Sequence, residues 1–245
     1  MAKKIGSSSR VTECACVIHG SGYDWQYVER LHSMLNRQLP GGARMHVYTE
    51  HDRSVPPHMV KHILEDWAGV SGPKKSWWYK MQLFNSEHWQ GPLLYLDLDV
   101  VVFNDMTWAT AGHHDYFWTL RDFRYLQRTG YSGMNSSLMY WNTVQFDWVW
   151  QKFRGENLED VMRQHAGDQD YIGAVIDHTK RRFYPEKHVQ SYRWQVQDGG
   201  MQFPSRTFSK PGAGAVIDPE ASVIVFHGTP KPHQVSDPLI KQLWK

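Results

Sequence analysis

The sequence predicts a single α/β domain with a mixed, mostly parallel central sheet flanked by helices. Two observations carry that expectation. The run Leu93–Phe103 (LLYLDLDVVVF) is apolar apart from Asp97 and Asp99, which is the pattern of a central strand buried on both faces. Upstream, Thr12–Thr49 reads strand, glycine turn, helix, strand, the pattern of a β-α-β unit. A length of 245 residues allows one large α/β domain or two small ones. No repeat or linker divides the chain, so one domain over 11–245 is expected. The basic, Ser-rich stretch Met1–Arg10 is expected to be a flexible N-terminal segment.

In order along the chain, Thr12–His19 is the first strand and Gly20-Ser21-Gly22 a tight turn. Asp24–Leu39 carries Trp25, Val28, Leu31 and Leu35 at helical spacing, with Asp24 as a possible cap and Pro40-Gly41-Gly42 as the stop. Ala43–Thr49 alternates as a strand. After Pro56-Pro57, His58–Trp67 reads as a short helix and Gly69–Lys75 as a polar loop. Ser76–Glu87 reads as a helix with Trp77, Met81 and Phe84 on one face, and it carries Lys80 just ahead of the acidic strand. Beyond that strand, Tyr116–Leu120 and Ser137–Trp141 are strands, with Gly130–Asn135 a loop. Helices follow around Phe146–Phe153, over Asn157–His165 and over Tyr171–Ile176. Lys180–Tyr184 and Val196–Lys210 show no clear period, and Val223–Phe226 is a last short strand.

Composition narrows the function classes. A formal charge of +2 is too weak to mark a nucleic-acid binder on its own. No run is long enough to cross a membrane, and nothing at the start reads as a signal peptide. The only cysteines, Cys14 and Cys16, are too close for a comfortable disulfide and too few for a zinc site. A reduced, cytoplasmic, soluble or peripheral protein is the simplest reading.

The chemistry centres on Asp97 and Asp99. Carboxylates at i and i+2 of a strand project to one side, and acids in an apolar run need a partner. A hard cation between them at the strand's C-terminal end satisfies both, and open α/β sheets bind ligands at that end. Asn135, Asp168-Gln169-Asp170 and His227…Lys231 also fall at predicted element ends. With Lys80 they form an inventory suited to a nucleoside diphosphate carried by a metal, and mixed oxygen/nitrogen ligation leans towards Mn²⁺ over Mg²⁺. The bland alternatives are solvated acids, a snorkelling Lys80 and a structural His227.

The order of these motifs resembles the GT-A glycosyltransferases, especially the retaining family of glycogenin and the bacterial lipopolysaccharide galactosyltransferases. The resemblance rests on Asp97-Leu98-Asp99, Met134-Asn135-Ser136-Ser137, Asp168-Gln169-Asp170 and His227-Gly228-Thr229-Pro230-Lys231-Pro232, with Lys80 as the basic residue before the metal strand. It runs from about Cys16 to His233. The closing His-to-Lys spacing is shorter than in the family, His233 stands where the family has Trp, and the first strand lacks the family's Asp near the base. The resemblance implies a GT-A, Rossmann-like fold and a transferase moving a hexose or pentose from a nucleotide sugar, UDP being the expected carrier. It implies Mn²⁺ (or Mg²⁺) on Asp97, Asp99 and His227, and Lys80 and Lys231 near the diphosphate. It places Asp168 on sugar hydroxyls, Gln169 beside the anomeric carbon, and Asn135 on the acceptor side. Tyr23 and Trp25 are candidates for the base pocket or for ordinary core.

Two other classes compete. A haloacid-dehalogenase-type phosphatase also ends an apolar strand with Asp-x-Asp, with Asp97 as nucleophile and Asp99 as acid/base; such a strand usually lies near the N-terminus, whereas about ninety residues precede it here. A non-catalytic module binding a nucleotide sugar or glycan is the second. The acceptor is a glycan or another hydroxyl compound, with a hydroxylated DNA base as the alternative raised by Lys180-Arg181-Arg182, Lys187 and Arg193.

Overall fold

The computed structural model describes residues 10–66 and 73–245. Strand β1 (Thr12–Val17), helix α1 (Gln26–Gln38) and strand β2 (Ala43–Thr49) form the expected parallel unit, to which β3 (Val60–Ile63) adds beyond β2. A 3₁₀ helix, Pro73–Phe84, leads into β4 (Pro92–Leu96) and β5 (Val100–Val102). The short α2 (Thr107–Thr110), β6 (Phe117–Arg121), β7 (Met134–Asn142) and three helices follow: α3 (Thr143–Gly155), α4 (Leu158–Gln164) and α5 (Asp168–Val175). The remainder is β8 (Arg181–Phe183), β9 (Val189–Ser191), the hairpin β10 (Met201–Gln202) and β11 (Thr207–Phe208), β12 (Val223–Val225) and α6 (Pro238–Leu243). Seven strands form the main sheet in the order β3-β2-β1-β4-β7-β6-β8. Only β7 runs antiparallel to its neighbours, so the sheet is mixed and mostly parallel, as expected.

Alternation along the central strands builds two cores. Cys14, Cys16, Leu94 and Leu96 face α1, whose Val28, Leu31 and Leu35 are fully buried there. Ala15, Leu93 and Tyr95 face the opposite layer, made by Tyr79, Met81 and Phe84 of the 3₁₀ helix and Phe146, Val149 and Phe153 of α3. Both faces of β4 are therefore dry, which is why its sequence shows no polar alternation. Burial pushes the Cys16 thiol up to about 12, so both free thiols stay protonated inside the first core. Among the described residues no helix is long and apolar enough to cross a membrane.

Several local expectations are corrected. Leu93–Phe103 is not one strand. The chain leaves the main sheet at Asp97 and re-enters a separate three-stranded sheet at Val100, where β12 pairs antiparallel to β5 and parallel to β9. Breaking the strand at the two acids frees them to meet polar partners, so each buried carboxylate is paired, Asp97 with Lys80 and Tyr95 and Asp99 with Lys231 and Tyr23. The helix expected over His58–Trp67, of which Trp67 lies outside the described residues, is replaced by a strand: Val60–Ile63 pairs with β2, because tertiary pairing outweighs a weak local preference. Asp24 does not cap α1, which starts without a side-chain cap after Trp25. The helix expected from Ser76 begins at Pro73, so Ser76 stands inside it. Gly130–Asn135 is a loop only as far as Gly133, since β7 takes Met134 and Asn135. Lys180–Tyr184 supplies the edge strand β8. The loop residues from Gly69 to Gly72, and the expected N-terminal segment apart from Arg10, lie outside the described residues.

One cluster at the β1-β2-β3 edge makes stability depend on pH. His46 hydrogen-bonds Glu13 at 2.7 Å and His62 at 2.8 Å, and Tyr48 stacks on His62 and His88. Burial, then the neighbouring His46 and His88, lowers His62 from the ordinary 6.5 to about 3. A group neutral when folded but protonated when unfolded favours the unfolded chain as pH falls below its unfolded pKa. The denaturant midpoint is therefore expected to drop between about pH 7 and about pH 5, and to drop less in His62→Phe. Equal losses in the two proteins would assign the effect elsewhere.

Candidate active site

The C-terminal ends of β1 and β4, the β7 bulge, the start of α5 and the turn after β12 converge on one cleft of about 370 Å³. Lys80 lies at its floor. It is only 9% exposed, so the snorkelling alternative fails. Its ammonium contacts Asp97 at 2.9 Å and Asp168 at 3.2 Å and donates to Ser136 Oγ at 3.0 Å. One buried cation thus joins the acidic motif to the Asp-Gln-Asp motif, which lie far apart in sequence. Burial alone would lower the pKa of Lys80, but the charges of Asp168 and Asp97 outweigh it and hold the ammonium above its usual range.

The two strand-end carboxylates differ. Burial opposes the charge of Asp97, but Lys80 and the Tyr95 hydroxyl, which donates at 2.6 Å, hold it below the ordinary range. Asp99 is pushed up by burial and by the charge of Asp97, even though Lys231 and Tyr23 pair with it. Tyr23 donates to Asp99 Oδ2 at 2.9 Å, and the Lys231 ammonium forms an ion pair with the same oxygen while lying 5.6 Å from the Tyr23 ring centre. Each acid thus holds its own ammonium group.

The opposite wall comes from β7 and α5. The register of β6 on β7 jumps from Thr119↔Met139 to Leu120↔Asn135, so Ser136, Ser137 and Leu138 are unpaired on that side. This bulge turns Asn135, Ser136 and Ser137 into the cleft. Asp168, raised chiefly by burial, accepts from Ser136 Oγ at 2.9 Å. The Gln169 carboxamide is held at both ends: Oε1 accepts from the Ser136 amide at 3.2 Å, and Nε2 donates to Asp122 Oδ2 at 3.1 Å. Asp170 is exposed and does not line the cleft. His227 lines it, with Nε2 2.7 Å from Ser191 Oγ and its ring stacked on Phe123. Burial lowers His227 to about 4, so the imidazole is neutral. Trp25 packs against the core instead of lining the cleft.

Asp97, Asp99 and His227 share the cleft, and two carboxylates with a neutral imidazole are a donor set that suits Mn²⁺. Their polar atoms are held by Lys80, Lys231, Tyr23, Tyr95 and Ser191. Among the described residues, no three His, Cys, Asp or Glu side chains are already gathered around a common point.

Sequence reasoning missed two groups here. Asp122 orients Gln169 from the turn after β6, and only the fold brings it there. His19, at the end of β1, stacks on Tyr79 at 4.1 Å, lines the cleft and has a buried Nδ1 with no hydrogen-bond partner. Its place directly before Gly20 at a strand end was the available signal.

At the level of sequence, no protein-family model and no curated protein matches this chain. Solved structures do. A galactosyltransferase LgtC, in complex with donor and acceptor sugar analogues, superposes with a TM-score of 0.64 at 12% identity, covering 95% of this chain and 94% of LgtC. The glycosyltransferase GlyE of Streptococcus pneumoniae TIGR4 gives a TM-score of 0.61 at 12% identity over 95% of this chain and 60% of its own. The bifunctional glycosyltransferase WbbM gives 0.56 at 12% identity over 96% of this chain and 51% of its own. At that identity the likeness is one of fold, and it agrees with the motif resemblance: this chain has the fold of the GT-A glycosyltransferases.

Proposed function

We propose that this protein is a metal-dependent glycosyltransferase that moves a hexosyl or pentosyl group from a nucleotide sugar, with UDP as the expected carrier, to a hydroxyl acceptor with retention of configuration. The observation that carries the reading is the Lys80 bridge, which places the Asp97/Asp99 pair and the Asp168-Gln169 pair in one cleft. Its support is the fold shared with LgtC, whose structure holds donor and acceptor sugar analogues. The named neighbours are glycosyltransferases, which favours this reading over a phosphatase.

In this proposal Asp97, Asp99 and His227 hold Mn²⁺ (or Mg²⁺), which when bound supplies charge that offsets the departing diphosphate. Lys231 leaves Asp99 and faces the diphosphate. Lys80 favours the charged forms of Asp97 and Asp168, holds both in place and adds positive charge beneath the leaving group. Asp168 accepts hydrogen bonds from sugar hydroxyls, with Asn135 on the acceptor side. Gln169, locked between Ser136 and Asp122, presents a fixed carboxamide beside the anomeric carbon. Tyr23 and His19 border the nucleotide.

The test is a panel of nucleotide sugars with Mn²⁺, read as release of nucleoside diphosphate. Metal-dependent release is expected, and an NMR coupling constant should show the donor's anomeric configuration in the product. Inversion would remove the role given to Gln169. Calorimetric UDP binding without turnover would make the protein a binding module. For the C-terminal turn, His227→Ala is expected to weaken Mn²⁺ and nucleotide binding together by about tenfold, since they share the ion. Lys231→Ala is expected to slow transfer with less effect on metal affinity. Metal affinity unchanged in His227→Ala would leave that histidine as packing for Phe123 and Ser191.

A further inference from the structure

Trp77 is out of place by the standard of this fold. It is 45% exposed, whereas its neighbours Trp78 and Tyr79 are almost completely buried. Other large apolar side chains reach solvent, Val144 and Trp148 among them, but among the described residues Trp77 is the one that also lines the cleft. Its position follows from the 3₁₀ geometry of Pro73–Phe84. With three residues per turn, positions i and i+3 eclipse one another, so Trp77 stands over Lys80. Lys80 reaches the floor and Trp77 the rim. The pyrrole edge of its indole lies against Gly167, where an added Cβ would come within 3.3 Å of Cδ1 and Nε1. The ring thereby lies beside Gly167 at the start of α5, in the cleft that Asp168 and Gln169 also line.

A fixed, half-exposed indole at the mouth of a polar cleft stacks on a flat face that carries apolar hydrogens. We propose that Trp77 is the platform for the acceptor, and that the acceptor is a neutral pyranose, stacked through its C–H face while its hydroxyls meet the cleft wall. This rests on the glycosyltransferase reading above. A nucleobase also stacks on indole, but charge argues against nucleic acid. The charged lining groups are Asp97, Asp99 and Asp168 against Lys80 and Lys231. That balance is negative, and a divalent ion and a diphosphate entering together offset each other. The position argues for the acceptor over the donor sugar, since Trp77 lies on the rim beyond Asp168 while the Tyr23-Lys231-His227 end takes the nucleotide.

Methyl β-galactopyranoside, methyl β-glucopyranoside and a thymidine oligonucleotide are titrated into ¹⁵N-tryptophan-labelled protein saturated with UDP and Mg²⁺. The Trp77 indole signal is assigned by its loss in Trp77→Phe. A saturable shift of that signal by a pyranoside is expected, with upfield movement of the sugar C–H protons. Affinity should fall by about tenfold in Trp77→Ala and be largely retained in Trp77→Phe. Circular dichroism should show all variants folded. The proposal is overturned by no saturable pyranoside shift, by equal affinity in Trp77→Ala, or by a shift with the oligonucleotide alone. Sugar stacking in a protein that neither binds UDP nor turns over any donor would retain a sugar platform and refute the transferase reading. Turnover with no role for Trp77 would do the reverse.

Discussion

Asp97→Asn and Asp99→Asn are each expected to lower metal-dependent donor turnover by about 10²- to 10³-fold, the scale seen when a preorganised electrostatic contact is removed from a reacting centre. Both substitutions keep the side chain's size and change its charge. At Asp97 the amide loses the full charge that faces Lys80 at 2.9 Å, although it still accepts from Tyr95. At Asp99 it loses the ion pair with Lys231 and the charge offered to a cation. Lys80 keeps Asp168 as a partner in Asp97→Asn, and the partly exposed Lys231 can turn to solvent in Asp99→Asn, so the apo fold should tolerate each change and the loss should appear in metal affinity and turnover. Isothermal titration with Mn²⁺ and nucleoside diphosphate release measure the two. Full donor hydrolysis in excess EDTA, or in either variant, would rule out the proposed metal role of the pair.

Lys80→Met is expected to destabilise the fold by about 3–5 kcal/mol, the usual cost of leaving buried charge without its partner. The side chain is buried beside the Tyr95 ring and is close in length to methionine, which fits the space. What it removes is the one ammonium between Asp97 and Asp168, both held in surroundings where burial already penalises their charge. Ser136 keeps its bond to Asp168, which satisfies one oxygen but supplies no charge. Urea unfolding at neutral pH measures the loss. Mn²⁺ should recover part of it in the variant if the ion lodges on Asp97, since a ligand that binds only the folded state adds stability. A loss below about 1 kcal/mol would mean that the bridge behaves as a surface ion pair.

The neutral histidines of the edge cluster have a different dependence. Their effect grows on acidification and does not involve the cleft, so it separates from the Lys80 effect by pH as well as by position.

What the sequence by itself determined were the features with strong local physics. Apolar alternation and the glycine stops placed the β-α-β unit, with β2 found at its expected boundaries. The doubly apolar run identified a central strand, and the cost of burying acids within it singled out Asp97 and Asp99, which the fold places in the cleft. Their order with Asn135, Asp168 and His227 pointed to the fold that the structure then showed. Only the tertiary structure decided that the central run breaks into β4 and β5. It also decided that His58–Trp67 contributes a strand, because the free energy there comes from pairing with β2 and not from local preference. The Lys80 bridge, the Asp122 hold on Gln169 and the rim position of Trp77 were illegible for one reason. Each depends on contact between residues distant in the chain, through a bulge or a helix register that no local pattern encodes. A lysine reads the same in sequence whether it snorkels or is buried between two carboxylates. Its meaning here came from β4 and α5 closing around it.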